Sequence, residues 1–279
     1  MHKDSITWKQ SSLINQIINS FDFTIHAHGL AELGTAWREE NVTIPHNKLY
    51  LVLDGSGEVQ VNGRTIILKK NNAYLFPLNR SYTYRCDRRL KKFFIHFNFS
   101  LFSGTDIFEL FEIKKFSMPL PSELFNAVHK FKFNHISDVI TLRNELLQLI
   151  SSFIGRQIPE KEEILRRDTR YESVLKYIDT HLSAKLSLRE LAAQMHCAPP
   201  YFSARFKKDF KQNVSDFIHT RLVTRASTLL IYSDKKIKEI SEELKFNNEF
   251  YFSRFIKKHT GATPRLFRNE RRKILHRNM

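Results

Sequence analysis

The C-terminal part of the chain is written twice, and that repeat restricts its fold more than any other feature. LRELAAQMHC at 188–197 aligns with IKEISEELKF at 237–246, an offset of 49 that matches Leu188 with Ile237, Glu190 with Glu239, Leu191 with Ile240 and Met195 with Leu244. Further on the offset becomes 50, and Tyr201, Phe202, Ser203, Lys207 and Phe217 meet Tyr251, Phe252, Ser253, Lys257 and Phe267. One residue inserted in a turn accounts for the change of step. Self-similarity at such a period marks one supersecondary unit used twice. In the second copy Ile237, Ile240 and Leu244 recur at helical spacing, and after a break Phe252 does so with Phe255 or Ile256. Each copy therefore predicts a short helix, a tight turn and a second helix.

A helix-turn-helix that reads DNA needs this division, because one helix braces while the next puts its N-terminal residues on base edges in the major groove. The face left for reading holds Pro200, Ser203 and Ala204 in the first copy and Glu249, Phe250, Ser253 and Arg254 in the second. Arg254 has the planar fork that bonds guanine bidentately or grips a phosphate, and Ser253 does either more weakly. Arg205, Lys207, Lys208, Lys257, Lys258, Arg265 and Arg268 fall where phosphates would lie. A helical repeat that binds protein would show the same outline. Charge favours a polyanion: residues 171–279 carry 22 Lys+Arg against 11 Asp+Glu, so +11 of the chain's +16 sits in its last 109 residues. A solvated face or a membrane-surface helix would give a similar excess, so charge alone leaves the partner open.

The run KEISEELKFNNEFYFSRFIKKHTGATPRLFR (238–268) closely resembles the signature of the AraC/XylS family of bacterial transcription regulators. Phe246, Asn247, Tyr251, Phe252, Ser253, Arg254, Lys257, Lys258, Gly261, Thr263, Pro264, Phe267 and Arg268 carry the match. YFSARFKK in the first copy and the connecting RLVTRASTLL extend it to about 105 residues. Three positions depart from the family. Lys245 stands where a turn glycine is usual, Lys211 stands where the second copy has Gly261, and Ala198 replaces the usual polar cap. With Pro200 and Ala204 on its reading face, the first recognition helix has few hydrogen-bonding groups beyond Ser203. The resemblance implies a sequence-specific regulator that binds double-stranded DNA as a homodimer, responds to a small-molecule effector, and meets RNA polymerase as an activator. It also implies a cytoplasmic protein. No Ser/His/Asp set, phosphate-binding Gly loop or metal cluster appears, so neither an enzyme nor a cofactor is expected.

Between Phe21 and Phe99 the pattern alternates and is rich in β-branched and aromatic residues. LYLVLDGSGEVQVNGRTIILKK reads as strand, turn at Gly55-Ser56-Gly57, strand, turn at Asn62-Gly63, strand, and two more strands flank a turn at Pro77–Arg80. This half is similar to the cupin-type barrel that many such regulators carry. The resemblance would put the enzymatic cupin's metal ligands near Val42, Ile44, Lys48 and Tyr82, none of which is a conventional ligand there. HAHGLAE (26–32) has a metal-like His-x-His-x-x-x-Glu spacing but lies upstream of that position, and short His patterns are often incidental. A barrel interior is a natural ligand site. His46, Tyr82, Tyr84, Phe94 and His96 would line it for a sugar or other small polar ligand, or would simply be core. A cupin enzyme fused to a DNA-binding domain, and a constitutive DNA binder whose barrel only dimerises, are the rival readings.

Val139, Leu142, Leu146, Leu149 and Phe153 form an amphipathic helix, with Ser137 as N-cap and Gly155 as stop. That stripe either covers the barrel or joins a second copy. The division expected is thus a cupin-like β domain at 1–118, a helical dimerisation segment at 119–157, a charged linker at 158–170 and a two-headed DNA-binding domain at 171–279, an α+β architecture. Cys86 and Cys197 read as buried thiols in a reducing compartment. No signal-like segment and no apolar run near the ~20 residues of a membrane span is present, so no membrane role is expected.

Overall fold

A computed structural model describes residues 19, 21–43, 45–101, 105–111, 113, 115–129, 135–155 and 170–277. The chain divides into two compact units of discontinuous sequence. A β-rich unit comprises Thr24–Asn98, Phe111–Gln157 and Leu266–Met279, and a helical unit comprises Met1–Phe23, Phe99–Leu110 and Ile158–Arg265. The expected linker at 158–170, but for its last residue, and the cupin position Ile44 lie outside the described residues.

Among the described residues nine strands run in sequence: β1 (Asp22–Leu33), β2 (Arg38–Thr43), β3 (Asn47–Val61), β4 (Arg64–Lys69), β5 (Asn72–Phe76), β6 (Ser81–Arg85), β7 (Leu90–Leu101), β8 (Thr105–Asp106) and β9 (Ser117–Pro119). The order β1-β7-β3-β5-β9 makes one layer. Strand β3 then crosses into a second layer, where its later half, Ser56–Val61, pairs with β4 and β6. The Gly55-Ser56-Gly57 run, expected as a turn, lies inside this long strand. The register with β7 slips between Val52 and Asp54, the mark of a bulge. Gly55 takes φ 72, and a Cβ there would stand 2.1 Å from the Arg89 carbonyl oxygen. Glycine is required at this point because the strand bends here and does not reverse. The other turns fall as expected. Asn62 and Gly63 both have positive φ, as a two-residue primed hairpin demands, and Asn79 does so between β5 and β6.

The expected closed barrel does not form. Among the described residues β1 pairs only with β7 and β9 only with β5, so the sheet keeps open edges. The bend in β3 is the reason, since it sends the chain from one layer into the next instead of around a cylinder. The layers share an interior in which Tyr50, Val52, Leu90 and Phe94 from the first meet Val59, Tyr82 and Tyr84 from the second, with Trp37 and Phe76. Odd-numbered neighbours such as Leu49, Leu51, Phe93 and Ile95 are buried as well, so the first layer is covered on both faces.

Three helices follow in the chain: α1 (Ile107–Leu110), α2 (Ser122–His129) and α3 (Ile136–Ile154). Gly155 ends α3 at φ 66 as expected, but His135 caps it and not Ser137; the His135 backbone N–H donates to Asp138 Oδ2 at 3.1 Å. The stripe on α3 is divided. Leu146, Leu149 and Phe153 are buried within the chain, whereas Ile136, Val139 and Ile140 remain 76%, 44% and 54% exposed.

The helical unit holds α4 (Glu172–His181), α5 (Leu188–Ala193), α6 (Pro199–Phe210), α7 (Val214–Tyr232), α8 (Ile237–Glu243) and α9 (Glu249–Thr260); α10 (Pro264–Arg277) starts in it. Tyr171 anchors the first half, packing its ring edge-on to Phe206 and Phe210 while its hydroxyl donates to Asp209 at 2.9 Å. Leu222, Ala226, Leu230 and Ile231 bury most of α7. A backbone bond from Ala184 N–H to the Leu244 carbonyl ties the halves together. No described helix is long and apolar enough to cross a membrane.

Candidate nucleic-acid interface

The repeat in the sequence becomes a repeat in space: α5 and α6 form one helix pair, α8 and α9 the other. Leu191 and Ala192 seat α5, and the aligned Ile240 and Ser241 seat α8. Ser187 and Glu190 form a reciprocal capping box at the start of α5, its serine and glutamate bonding each other's backbone N–H. Each pair turns through one residue with positive φ, His196 at 50° and Lys245 at 54°, at the same place in the alignment. A non-glycine residue does occupy the strained turn position, as the missing family glycine predicts. Lys211 likewise takes φ 59 where Gly261 takes φ 79, each ending its recognition helix.

The helices differ most at their starts. Asn248 Oδ1 accepts the Tyr251 backbone N–H at 3.0 Å, whereas Ala198 offers no side-chain cap to α6. A capping oxygen is worth ~1 kcal/mol, so α9 begins more firmly than α6. Proline at N1 partly offsets this, its fixed φ suiting the first turn.

Burying Phe202 and Phe206 on α6, and Phe252 and Ile256 on α9, turns the opposite faces outward. Pro200, Ala204, Lys207 and Lys208 are exposed on α6, with Ser203 and Arg205 half-buried. Glu249, Phe250, Arg254, Lys257 and Lys258 are exposed on α9, with Ser253 half-buried; Arg265 is exposed and Arg268 half-buried on α10. Every DNA-facing residue named from the sequence thus keeps accessible surface, and Phe250 is 80% exposed. Two contributors were missed. Tyr201 and Tyr251 are 55% and 51% exposed at equivalent positions, and each holds an arginine. Arg205 donates to the Tyr201 hydroxyl at 2.7 Å, and the Arg254 guanidinium lies over the Tyr251 ring. Their repetition at offset 50 outside both apolar stripes was the available signal.

In the β-rich unit His46, Tyr82, Tyr84, Phe94 and His96 are all at most 3% exposed. The His46 and His96 rings lie tilted against each other with centroids 4.5 Å apart, and Phe94 adjoins His96 at 5.0 Å. Burial, reinforced by neighbouring lysines and by His26, holds both imidazoles well below their ordinary pKa, and His96 lowers His46 further. The Tyr82 hydroxyl donates to the Pro77 carbonyl at 2.7 Å, and that of Tyr84 accepts from Lys48 Nζ at 2.5 Å. The metal-like trio disperses. His26 Nε2 bonds Asn98, His28 stacks on Phe93, and Glu32 pairs with Lys91 at 2.6 Å. Among the described residues no three metal-capable side chains converge.

A family model described as a helix-turn-helix domain matches residues 191–270. The chain is 25% identical over 238 residues to the HTH-type transcriptional activator Btr of Bacillus subtilis (strain 168), covering 79% of this chain and 44% of Btr. It is 22% identical over 264 residues to the Msm operon regulatory protein of Streptococcus mutans serotype c, covering 91% of this chain and 95% of that protein. The chain therefore spans less than half the length of Btr. Among solved structures it resembles ToxT from Vibrio cholerae strain SCE256, determined with a bound unsaturated fatty acid. The TM-score is 0.51 at 11% identity, over 88% of this chain and 95% of ToxT, a likeness of fold.

Proposed function

We propose that this chain is a transcription regulator of the AraC/XylS family, a reading its helix-turn-helix match and regulator relatives support, and that both helix pairs of one protomer enter the same face of a DNA duplex. The chain is not an enzyme, since the proteins it resembles are regulators. The observation that carries the proposal is the equivalence of two outward faces, which present Tyr201, Ser203, Lys207 and Lys208 on α6 and Tyr251, Ser253, Lys257 and Lys258 on α9. Helix α7 joins the pairs with 19 residues, roughly 28 Å at the α-helical rise. Reading helices on one side of B-DNA stand about 34 Å apart, within reach of that connection if the duplex bends slightly. The two heads divide the labour. Arg254 stands where α6 has Ala204, so α9 reads bases through Arg254 and Ser253 while α6 grips the backbone through Arg205, Lys207 and Lys208.

The rest of the proposal follows family precedent. The protein acts as a cytoplasmic homodimer and an activator in contact with RNA polymerase; Btr's name supports the activator role. Its effector is a small molecule bound between the layers of the β-rich unit, where His46, Tyr82, Tyr84, Phe94 and His96 gather. ToxT, of similar fold, was determined with a bound fatty acid, which supports a small-molecule effector.

Selection of the full chain against random duplex DNA, followed by footprinting on the recovered site, tests the two-headed model. Each protomer should protect two successive major-groove segments, and affinity should fall steeply with salt. Protection of one segment per protomer, or salt-insensitive binding, would remove the second head from the model.

A further inference from the structure

Two lysines face inward in the β-rich unit. Lys92 on β7 is 0% exposed and Lys48 on β3 is 3% exposed. Both stand at even-numbered positions, the parity of Tyr50, Val52, Leu90 and Phe94, whose side chains fill the interior. Lys48 Nζ donates to the Tyr84 hydroxyl and lies 4.2 Å from the centre of that ring. Among the described residues Lys92 Nζ has no hydrogen-bond partner. It faces the Trp37 ring at 4.1 Å and the Tyr50 ring at 3.4 Å. A third cation is near in the same unit: Arg271 on α10 acts on both Lys48 and Tyr84, and its Nε is buried without a hydrogen bond.

Such an interior is costly for stability alone. Aromatic faces attract an ammonium group, but they do not replace the water it leaves, and an apolar side chain of similar length would pack there with no such loss. Burial, chiefly, holds both lysines well below their ordinary pKa; Arg271 depresses Lys48 further and Lys48 depresses Lys92, while Glu39 and Cys86 oppose the shift in part. As an ammonium Lys92 carries three donors, none of which meets an acceptor among the described residues. Perturbed, unsatisfied groups of this kind cluster where a protein meets a ligand. Glu39 acts on Lys48 and Arg271, but among the described residues no acceptor reaches Lys92 Nζ.

We propose that the effector is a small organic carboxylate, held by the Lys48 and Lys92 ammonium groups with its body against the Trp37 and Tyr50 rings. This rests on the effector reading above and narrows it from small molecules in general to anions. In the ligand-free state the Tyr84 oxygen occupies the acceptor position that a carboxylate oxygen takes over. A sugar fits the interior less well, because its hydroxyls bring no negative charge to Lys92.

The test uses the full chain in thermal-shift and calorimetric titrations with benzoate, phenylacetate and hexanoate, each beside its neutral amide, and with a neutral pentose. At least one carboxylate should raise the melting temperature while its amide does not. Lys92→Met should fold with ligand-free stability at or above wild type and bind that carboxylate at least about tenfold more weakly. Lys48→Met serves the same purpose should the first variant fail to fold. Equal binding of acid and amide, or undiminished binding by the methionine variants, overturns the proposal. Binding of the pentose or an amide with no response to any carboxylate also overturns it, yet leaves an effector site standing. Silence from every probe overturns both.

Discussion

The Arg254 guanidinium lies 4.7 Å from the centre of the Tyr251 ring, three residues back on the same exposed helix face. An exposed cation–π contact is worth about 0.5–1 kcal/mol, less than the ~1–3 kcal/mol of a bidentate arginine–guanine pair. The ring thus limits where Arg254 can point without outbidding a base. Arg254→Ala should weaken binding to the selected site by about 1–3 kcal/mol and relax preference at one base pair. Anisotropy titrations against the site and its single-base variants measure both effects; equal affinities for wild type and variant would take Arg254 out of the reading set.

Lys245 occupies its turn at φ 54 with its side chain exposed. A side chain in this conformation costs about 1 kcal/mol relative to glycine, partly offset by the freedom glycine brings to the unfolded chain. Lys245→Gly should raise the urea midpoint by an amount equivalent to about 0.5–1 kcal/mol at constant m. An unchanged or lower midpoint would show that the turn is unstrained. DNA affinity should fall only slightly, since Lys245 lies before the recognition helix.

His46 and His96 make stability depend on pH. Burial, chiefly, keeps both imidazoles well below the usual value when folded, while in the unfolded chain they protonate near pH 6.5. Above that value neither state is charged and the histidines contribute no slope. Below it only the unfolded state takes up protons, so stability falls as pH drops towards the folded values. The histidine contribution to melting temperature should therefore vanish from pH 7 to 8 and appear as a decline from 6.5 to 5. It adds to the rise with pH that the depressed Lys48 and Lys92 impose below their ordinary range. His96→Phe should flatten the decline; an unaltered slope would assign it to other groups.

The division of the α3 stripe redirects where a second copy would dock. Leu146 is 1% exposed, so Leu146→Glu should unfold the β-rich unit and say nothing about assembly. Ile140 is 54% exposed and leaves the core untouched. Ile140→Glu should keep the melting temperature and turn a dimer of the full chain into a monomer in sedimentation equilibrium. A dimer that survives this change would place the interface elsewhere.

The helical half was legible to the level of single turns because its pattern is local. A stripe at 3.6-residue spacing sets which face is buried, and an αL position announces itself once Lys245 and Lys211 are aligned with family or repeat glycines. The β half was legible in its hairpins, where Asn62-Gly63 closes two neighbouring strands. It was not legible at Gly55, where the glycine answers to the Arg89 backbone thirty-four residues away. Lys92 escaped for another reason. Lysine reads as a solvent residue, although Leu90, Lys92, Phe94 and His96 share one parity, which the alternation could have revealed. Tyr201 and Tyr251 were counted as repeat landmarks, and their exposure depends on how each helix is rolled against its partner.

Strand β3 lends its first half to one layer and its second half to the other, and this makes the layers mutually dependent in time. Opening either one strips partners from a strand that the other still holds, so partial unfolding has no natural seam along β3. Amide protons at Leu51 and Val59, on opposite sides of the Gly55 bend, should therefore exchange through a common opening and with similar free energies. The same linkage means that a molecule tightening the interior braces both layers at once.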